Sequence, residues 1–278
     1  MTDHPAERQA KRYDRIADGY ARWWAPVIEP WSVRVLDHMA ADVDAGATRL
    51  IDVGTGTGSV AFAALRRWPR VRVVGVDPSA GMLDVARARA ADALTPSQRR
   101  RMEFVEAFGD RLPFNAGDFD AAVSAFVLQL VPSRARVLRE VRRVLRPGGR
   151  LAYVTWLAGE RRFAGDSVLD RVLDEAGFDP PEPDSRPGDL ASVAAASAGL
   201  RAAGFRHVRA GPDELAHAWT PDAYMAFVTE FDEEDTFASM AARERRRTVA
   251  KLRSRLSALP AGDLVLHLPV VYATGIRA

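Results

Sequence analysis

A parallel α/β sheet is the fold class that residues 48–156 predict, and three observations carry the prediction. An apolar run of Leu50, Ile51 and Val53 passes into glycines at 54, 56 and 58 and then into a helical stretch. A second apolar run, Val71 to Val76, ends on an acid, Asp77. A strand at Phe119–Ser124 precedes a helix whose Val137, Leu138, Val141, Val144 and Leu145 share one face, and a further strand covers 150–156. Strands alternating with helices at this spacing are parallel and joined by right-handed crossovers.

The elements follow in chain order. Residues 5–44 read as helical because Trp31, Val35 and Met39 recur every four positions, and Pro26 and Pro30 divide the segment in two. The first strand leads into the glycines, and the helix after them runs from Ser59 to Arg67 with Val60, Ala61, Ala64 and Leu65 inward. Pro147-Gly148-Gly149 stops the later helix and turns the chain into the 150–156 strand. Residues 157–199 leave the alternating pattern, and the proline-rich stretch 178–188 reads as a stiff extended linker. Helical patterns resume near 188–203, 220–230 and 238–259, and no internal repeat is visible.

Composition narrows the class. The 278 residues are 47% apolar, enough for a sizeable core, and the formal net charge is only +2. Arg142, Arg143 and Arg146, and the run from Arg243 to Arg255, lack interleaved aromatics and read as solvated helix faces, not as a nucleic-acid surface. The acidic run 232–235 reads as complementing the dipole of the helix after it. With no cysteine there are no disulfides, thiolate metal sites or cysteine nucleophile. The N-terminus has no apolar signal-peptide region and no run approaches a membrane span, so a soluble cytoplasmic protein without membrane or nucleic-acid partners is expected.

A buried strand, a turn without side chains and a helix N-terminus together form a nucleotide cradle. A dinucleotide fingerprint places its third glycine three residues after the second. Here the glycines fall at 54, 56 and 58, Ser59 takes the dinucleotide position, and Asp52 stands two residues before the first glycine. Asp77 closes the second strand, where a carboxylate can accept two hydrogen bonds from a ribose diol. The order strand, Asp-x-Gly-x-Gly-x-Gly, helix, strand and acid points to a nucleoside-bearing cofactor.

Residues 50–65 (LIDVGTGTGSVAFAAL), 73–87, 112–124 and 137–156 together resemble the class I S-adenosylmethionine-dependent methyltransferases, in that family's order. The likeness is strongest to the ubiquinone/menaquinone-biosynthesis type of small-molecule enzyme, with weaker echoes at 200–210 and 265–276. It implies a Rossmann-like, doubly wound, seven-stranded and mostly parallel α/β sheet. It also implies N-terminal helices forming a lid over 1–44, a cofactor-binding core at 45–156 and a helical cap at 157–262 inserted after the fifth strand. The sixth strand is expected near 205–210, and a C-terminal strand at 263–278 completes the sheet.

The resemblance assigns a site for S-adenosyl-L-methionine. Asp77 takes the ribose hydroxyls, Pro78 and Met82 lie beneath the adenosine, and Gly54, Thr55, Gly56 and Gly58 run against the ligand. Asp52 either faces the ligand's ammonium or makes a strand-end hydrogen bond to neighbouring backbone amides. At the adenine edge relatives carry an aspartate where this chain has Phe108, which either stacks on the base or packs in the core. Gly109 lies on that edge, and the adenine amine is served either by Asp110 or by backbone and water alone. Ser124 and Phe126 flank the methionine moiety, and Tyr13, Tyr20 and Trp24 belong to an entry segment folding over the cofactor. No metal is expected.

The implied activity is methyl transfer to a small apolar or aromatic acceptor, at oxygen or carbon, by in-line displacement. Orientation alone can supply about 7–11 kcal/mol, so a general base is optional. His38, His207, His217 and His267 form no recognisable constellation, and no catalytic residue is assigned. Trp219, Tyr224 and Phe227 either line the acceptor side or form core. Two other readings stand beside this one: an NAD(P)-dependent oxidoreductase, and a catalytically silent cofactor-binding regulator. Monomer and homodimer are both open.

Overall fold

The computed structural model describes residues 5–178 and 188–278, so all but the ends of the expected 178–188 linker lie outside the described residues. The N-terminal path comprises α1 (Pro5–Gly19), a π-helical turn at Tyr20–Trp24, α2 (Ala25–Arg34), a 3-10 turn at Val35–Met39 and α3 (Ala40–Asp44). The alternating region follows as β1 (Arg49–Val53), α4 (Ser59–Arg67), β2 (Arg72–Asp77), α5 (Ala80–Ala93), α6 (Pro96–Arg99) and β3 (Met102–Glu106). It continues through β4 (Phe119–Ala125), α7 (Arg134–Val144) and β5 (Leu145–Trp156). Beyond it lie α8 (Ala164–Asp174), α9 (Val193–Ala202), β6 (Phe205–Ala218), α10 (Pro221–Phe227), α11 (Glu234–Ser239), α12 (Ala242–Ser257) and β7 (Val265–Arg277).

The chain forms two compact units. One comprises Met1–Ala158, Pro187–Asp213 and Val270–Ala278, and the other Gly159–Arg186 and Glu214–Pro269. The stretch anticipated as one helical cap, 157–262, thus divides: α9 and the first part of β6 group with the sheet.

The first unit is built on a seven-stranded sheet of order β3-β2-β1-β4-β5-β7-β6 among the described residues. The pairs from β3 to β5 are parallel, and β7 runs antiparallel to β5. β1 and β2 are buried along nearly their whole length, as strands covered on both faces must be. Their side chains alternate between two cores. Ile51, Val53, Val74 and Val76 pack with Val137, Leu138, Val141 and Val144 of α7 and with Leu200 of α9. Leu50 and Val73 pack on the opposite face with Val60 and Leu65 of α4 and with Leu36 and Met39. The period-2 pattern of each strand therefore recruits helices to both faces.

Three local features differ from the sequence expectation. Pro26 and Pro30 do not divide the N-terminal segment. Pro26 occupies the first turn of α2, and the helix continues through Pro30. The irregularity lies one turn earlier, where the Ala25 N–H reaches the Tyr20 carbonyl in a π-type bond. Leu145 belongs to β5, not to α7: it pairs with Phe119, and Arg150 pairs with Ala121, so Arg146–Gly149 bulge out of the strand. Third, the basic face of α7 is not merely solvated. Arg143 donates to the carbonyls of Phe114 (2.8 Å) and Leu112 (3.0 Å) and braces that loop, and Arg142 Nε donates to the Gly204 carbonyl at 3.0 Å.

In the second unit Trp219, Tyr224 and Phe227 cluster with ring centroids 5.1–6.2 Å apart, and all three are buried. They are the core of that unit, the plainer of the two readings of an aromatic stripe. Tyr224 donates its hydroxyl to Asp166 at 2.9 Å, and Glu175 pairs with both Arg255 and Lys251 of α12. Among the described residues no helix is long and apolar enough to cross a membrane.

Asp120 closes the lower edge of the first unit. Its Oδ2 accepts the backbone N–H groups of Thr48 (2.7 Å) and Arg49 (2.9 Å), and its Oδ1 pairs with Arg146 of the bulge at 2.8 Å. These partners hold its carboxyl below the usual range despite some desolvation. Asp120→Ala is expected to lower unfolding free energy by about 1.5–3 kcal/mol, the range for hydrogen bonds to a charged group. Chemical denaturation at pH 7 checks this, and the deficit should shrink toward pH 3 as the wild-type carboxylate is protonated.

Candidate functional site

At the carboxyl ends of β1, β2 and β4, where an open α/β sheet binds ligands, the first unit opens into a cleft. Its floor is the glycine turn after β1. The Gly54 and Thr55 N–H groups both donate to the Val76 carbonyl (2.7 and 2.9 Å), which lashes the turn to β2. Gly54 has φ +76°, and a Cβ there would overlap the Val127 side chain. Gly56 has φ +51°, and a Cβ there would meet no protein atom within 4 Å. Gly54 is therefore fixed by packing, whereas the open face of Gly56 belongs to the cavity.

Asp77 ends β2 on the same wall. Its Oδ2 accepts the Gly56 N–H at 2.9 Å and its Oδ1 the Ser79 N–H at 3.0 Å. A carboxylate offers about four lone-pair directions, so each oxygen keeps capacity for a ligand donor. Burial pushes its carboxyl up to about 6, against the two backbone donors that favour the charged form. Asp52, fully buried at the end of β1, accepts the Thr55 hydroxyl at 2.8 Å and is pushed by burial up to about 7. It also lines a second, smaller cavity with Thr55, Thr57, Ser59 and Glu29. Tyr20, Gly54, Gly56 and Ala125 border both cavities.

The adenine-edge candidates gather on one side. Pro78, Met82, Phe108, Gly109 and Asp110 all line the larger cavity. Phe108 is a cavity wall, only half-buried, with the Arg111 guanidinium 5.4 Å from its ring centroid. Tyr13 and Tyr20 meet edge to face at 5.9 Å above the site, and burial raises both phenols, so they remain neutral. Three candidates stand elsewhere. Trp24 lines neither cavity, and the buried Ser124 commits its hydroxyl to the Val53 carbonyl at 2.8 Å, tying β4 to β1. Gly58 lies behind the cavity, where a Cβ would meet the Phe62 ring at 2.5 Å.

Asp14 was not singled out in the sequence. From α1 its Oδ1 accepts the Ser79 hydroxyl (2.7 Å) and the Gly81 N–H (3.0 Å), at the N-terminus of α5. Gly81 permits this approach, because a Cβ there would come within 2.9 Å of the Asp14 carbonyl. Ala6, Gln9 and Ala10 of α1 thereby become cavity wall. Asp14 is the acid of a Tyr-Asp-x-x-Ala-x-x-Tyr pattern over residues 13–20, which marks the segment but not this partner. No grouping of three or more metal-type ligands occurs among the described residues.

Both buried carboxyls titrate above their unfolded values near 3.8, so the folded state binds more protons and the stability they contribute is greatest in acid. The ligand-free protein is expected to lose stability as pH rises through 6 and 7. Thermal unfolding from pH 5 to 8 measures the slope, and Asp52→Asn should flatten its upper part.

Residues 51–153 match a family described as a methyltransferase domain. The chain is 37% identical over 149 residues to a ubiquinone/menaquinone biosynthesis C-methyltransferase of Syntrophotalea carbinolica, covering 51% of this chain and 60% of that one. It is 35% identical over 136 residues to a demethylmenaquinone methyltransferase of Thermotoga maritima, covering 49% and 54%. The chain thus spans less than two thirds of the length of these relatives. Among solved structures it resembles a Haemonchus contortus phosphoethanolamine N-methyltransferase 2 in complex with phosphomonomethylethanolamine and S-adenosylhomocysteine. That likeness has a TM-score of 0.56 at 16% identity, over 99% of this chain and 60% of that one. It also resembles the [4+2]-cyclase SpnF, with a TM-score of 0.54 at 22% identity over 90% and 82%. At these identities the two structures speak to the fold alone.

Proposed function

We propose that the chain, whose residues 51–153 match the methyltransferase-domain family, transfers a methyl group from S-adenosylmethionine to a small organic acceptor. The observation that carries this reading is Asp77, a buried carboxylate with spare acceptor capacity beside the open face of Gly56. Bound S-adenosylmethionine would supply the reactive methyl on a sulfonium.

The residues fit such a ligand. Asp77 would accept the two ribose hydroxyls, and Phe108 and Met82 would flank the base. The smaller cavity, with the carboxyl groups of Asp52 and Glu29 in its lining, suits the ammonium of the amino-acid end. Tyr13 and Tyr20, neutral and half-buried, would exclude water from the reacting atoms without taking a proton. With no base assigned, alignment of acceptor, methyl and sulfur carries the rate, and orientation can be worth about 7–11 kcal/mol. The apolar wall of Ala10, Leu130, Val131 and Val137 and the names of the relatives favour an apolar or aromatic acceptor methylated at carbon or oxygen.

Calorimetry tests the cofactor directly. S-adenosylhomocysteine should bind, tightening as pH rises through about 6 while Asp77 ionises, and NAD should not. Asp77→Ala removes a charged acceptor from two donors at about 1.5–3 kcal/mol each and should weaken affinity on the order of a hundredfold or more. Tight NAD binding with no response to S-adenosylhomocysteine would overturn the proposal. Binding without transfer from labelled methyl donor to any acceptor would favour a silent cofactor-binding protein.

We further propose that residues 8–30 act as the lid. Cofactor should then slow amide exchange across Tyr13–Trp24, and removal of residues 1–24 should abolish transfer while leaving the sheet folded. Full transfer by the truncated protein would contradict the lid.

A further inference from the structure

Phe126 is one of two non-glycine residues with positive φ among those described, at +56°, and it lines the larger cavity directly after β4. A bulky side chain in that region is an outlier that the surrounding structure must impose. The means of imposing it are visible. The Phe126 N–H donates to the Val154 carbonyl of β5 at 2.8 Å, and its ring lies 4.1 Å, centroid to centroid, from that of Trp156. Its own carbonyl accepts a hydrogen bond from Gln129 Nε2 at 2.7 Å.

Gln129 is itself oriented. The hydroxyl of Thr155, fully buried on β5, donates to Gln129 Oε1 at 2.6 Å. Reversing the amide would set Oε1 against the Phe126 carbonyl, acceptor against acceptor, so only one orientation satisfies both neighbours. The same turn is confined on its other sides. Val127 fills the space that a side chain on Gly54 would need, and the Gln129 carbonyl lies where a Cβ on Gly188 would fall. The turn thus connects β5 to the glycine turn beneath the cavity.

We propose that Gln129 is a positioning residue for cofactor binding. Aimed by Thr155, it holds Phe126 in the left-handed conformation that sets the cavity wall between Ala125 and Val127. The inference rests on the reading of this cavity as the S-adenosylmethionine site.

The test is S-adenosylhomocysteine affinity by calorimetry, with thermal unfolding in parallel, for wild type, Gln129→Leu, Thr155→Val, Phe126→Gly and the double variant Phe126→Gly/Gln129→Leu. Gln129→Leu should weaken binding at least tenfold, and Thr155→Val should weaken it less, in the same direction. Glycine adopts positive φ without support, so in the Phe126→Gly background the Gln129→Leu penalty should fall below threefold. Should Gln129→Leu fail to fold, the near-isosteric Thr155→Val carries the test, alone and in the Phe126→Gly background, with the same expected loss of its penalty. Unchanged affinity, a change in thermal stability alone, or an equal penalty in both backgrounds would overturn the inference. A wild-type protein that binds no S-adenosylhomocysteine would overturn the cofactor reading and this inference with it. Wild-type binding that ignores Gln129 and Thr155 would overturn the inference alone.

Discussion

Asp77 is a carboxylate held in a place where carboxylates are costly. Burial penalises its charge, the Asp14 carboxylate adds to the penalty, and the compensation comes from two backbone N–H groups. Those donors belong to different parts of the fold. Gly56 is the middle of the turn after β1, and Ser79 is the N-cap of α5. One side chain therefore sets the separation between the glycine turn and the next helix, which is the width of the cavity floor. A ligand that adds donors to Asp77 supplies what the fold withholds, so binding and the charge of this group are coupled in one direction.

The same point governs the N-terminal segment. Ser79 donates its hydroxyl to Asp14 while its N–H serves Asp77, so α1 is docked onto the hub of the site. Gly81 makes the approach sterically possible, and the π-type bond from the Ala25 N–H to the Tyr20 carbonyl joins the Tyr20–Trp24 turn to α2. Wall, floor and roof of the cavity meet within a few residues of the end of β2. That economy follows from the topology, because β1 and β2 are parallel neighbours whose carboxyl ends must lie side by side.

What could be read from the sequence, and what could not, divides by the range of the interaction. The glycine turn, Asp77 and the alternating strands are local patterns, and the periodicity of Leu50 and Ile51 already separates the two faces of the sheet. Phe108 could be recognised as the departure from its relatives, but whether it stacks or packs depends on the cavity it faces. Asp14, Gln129 and Asp120 act through partners far away in sequence or through backbone atoms, and such contacts leave no local signature. Arg143 shows the converse. Its helical position suggested a solvated face, yet two loop carbonyls turned toward it make it a brace. Ser124 had a plausible role beside the ligand, and a buried carbonyl on the neighbouring strand had the stronger claim on its hydroxyl.

Co-crystallisation with S-adenosylhomocysteine tests the central claim most directly. The account requires both ribose hydroxyls within hydrogen-bond distance of the Asp77 carboxylate, the ligand against the open face of Gly56, and the amino-acid end in the smaller cavity beside Asp52. A complex in which the ligand lies elsewhere on the protein, or in which Asp77 touches no ligand atom, would contradict it.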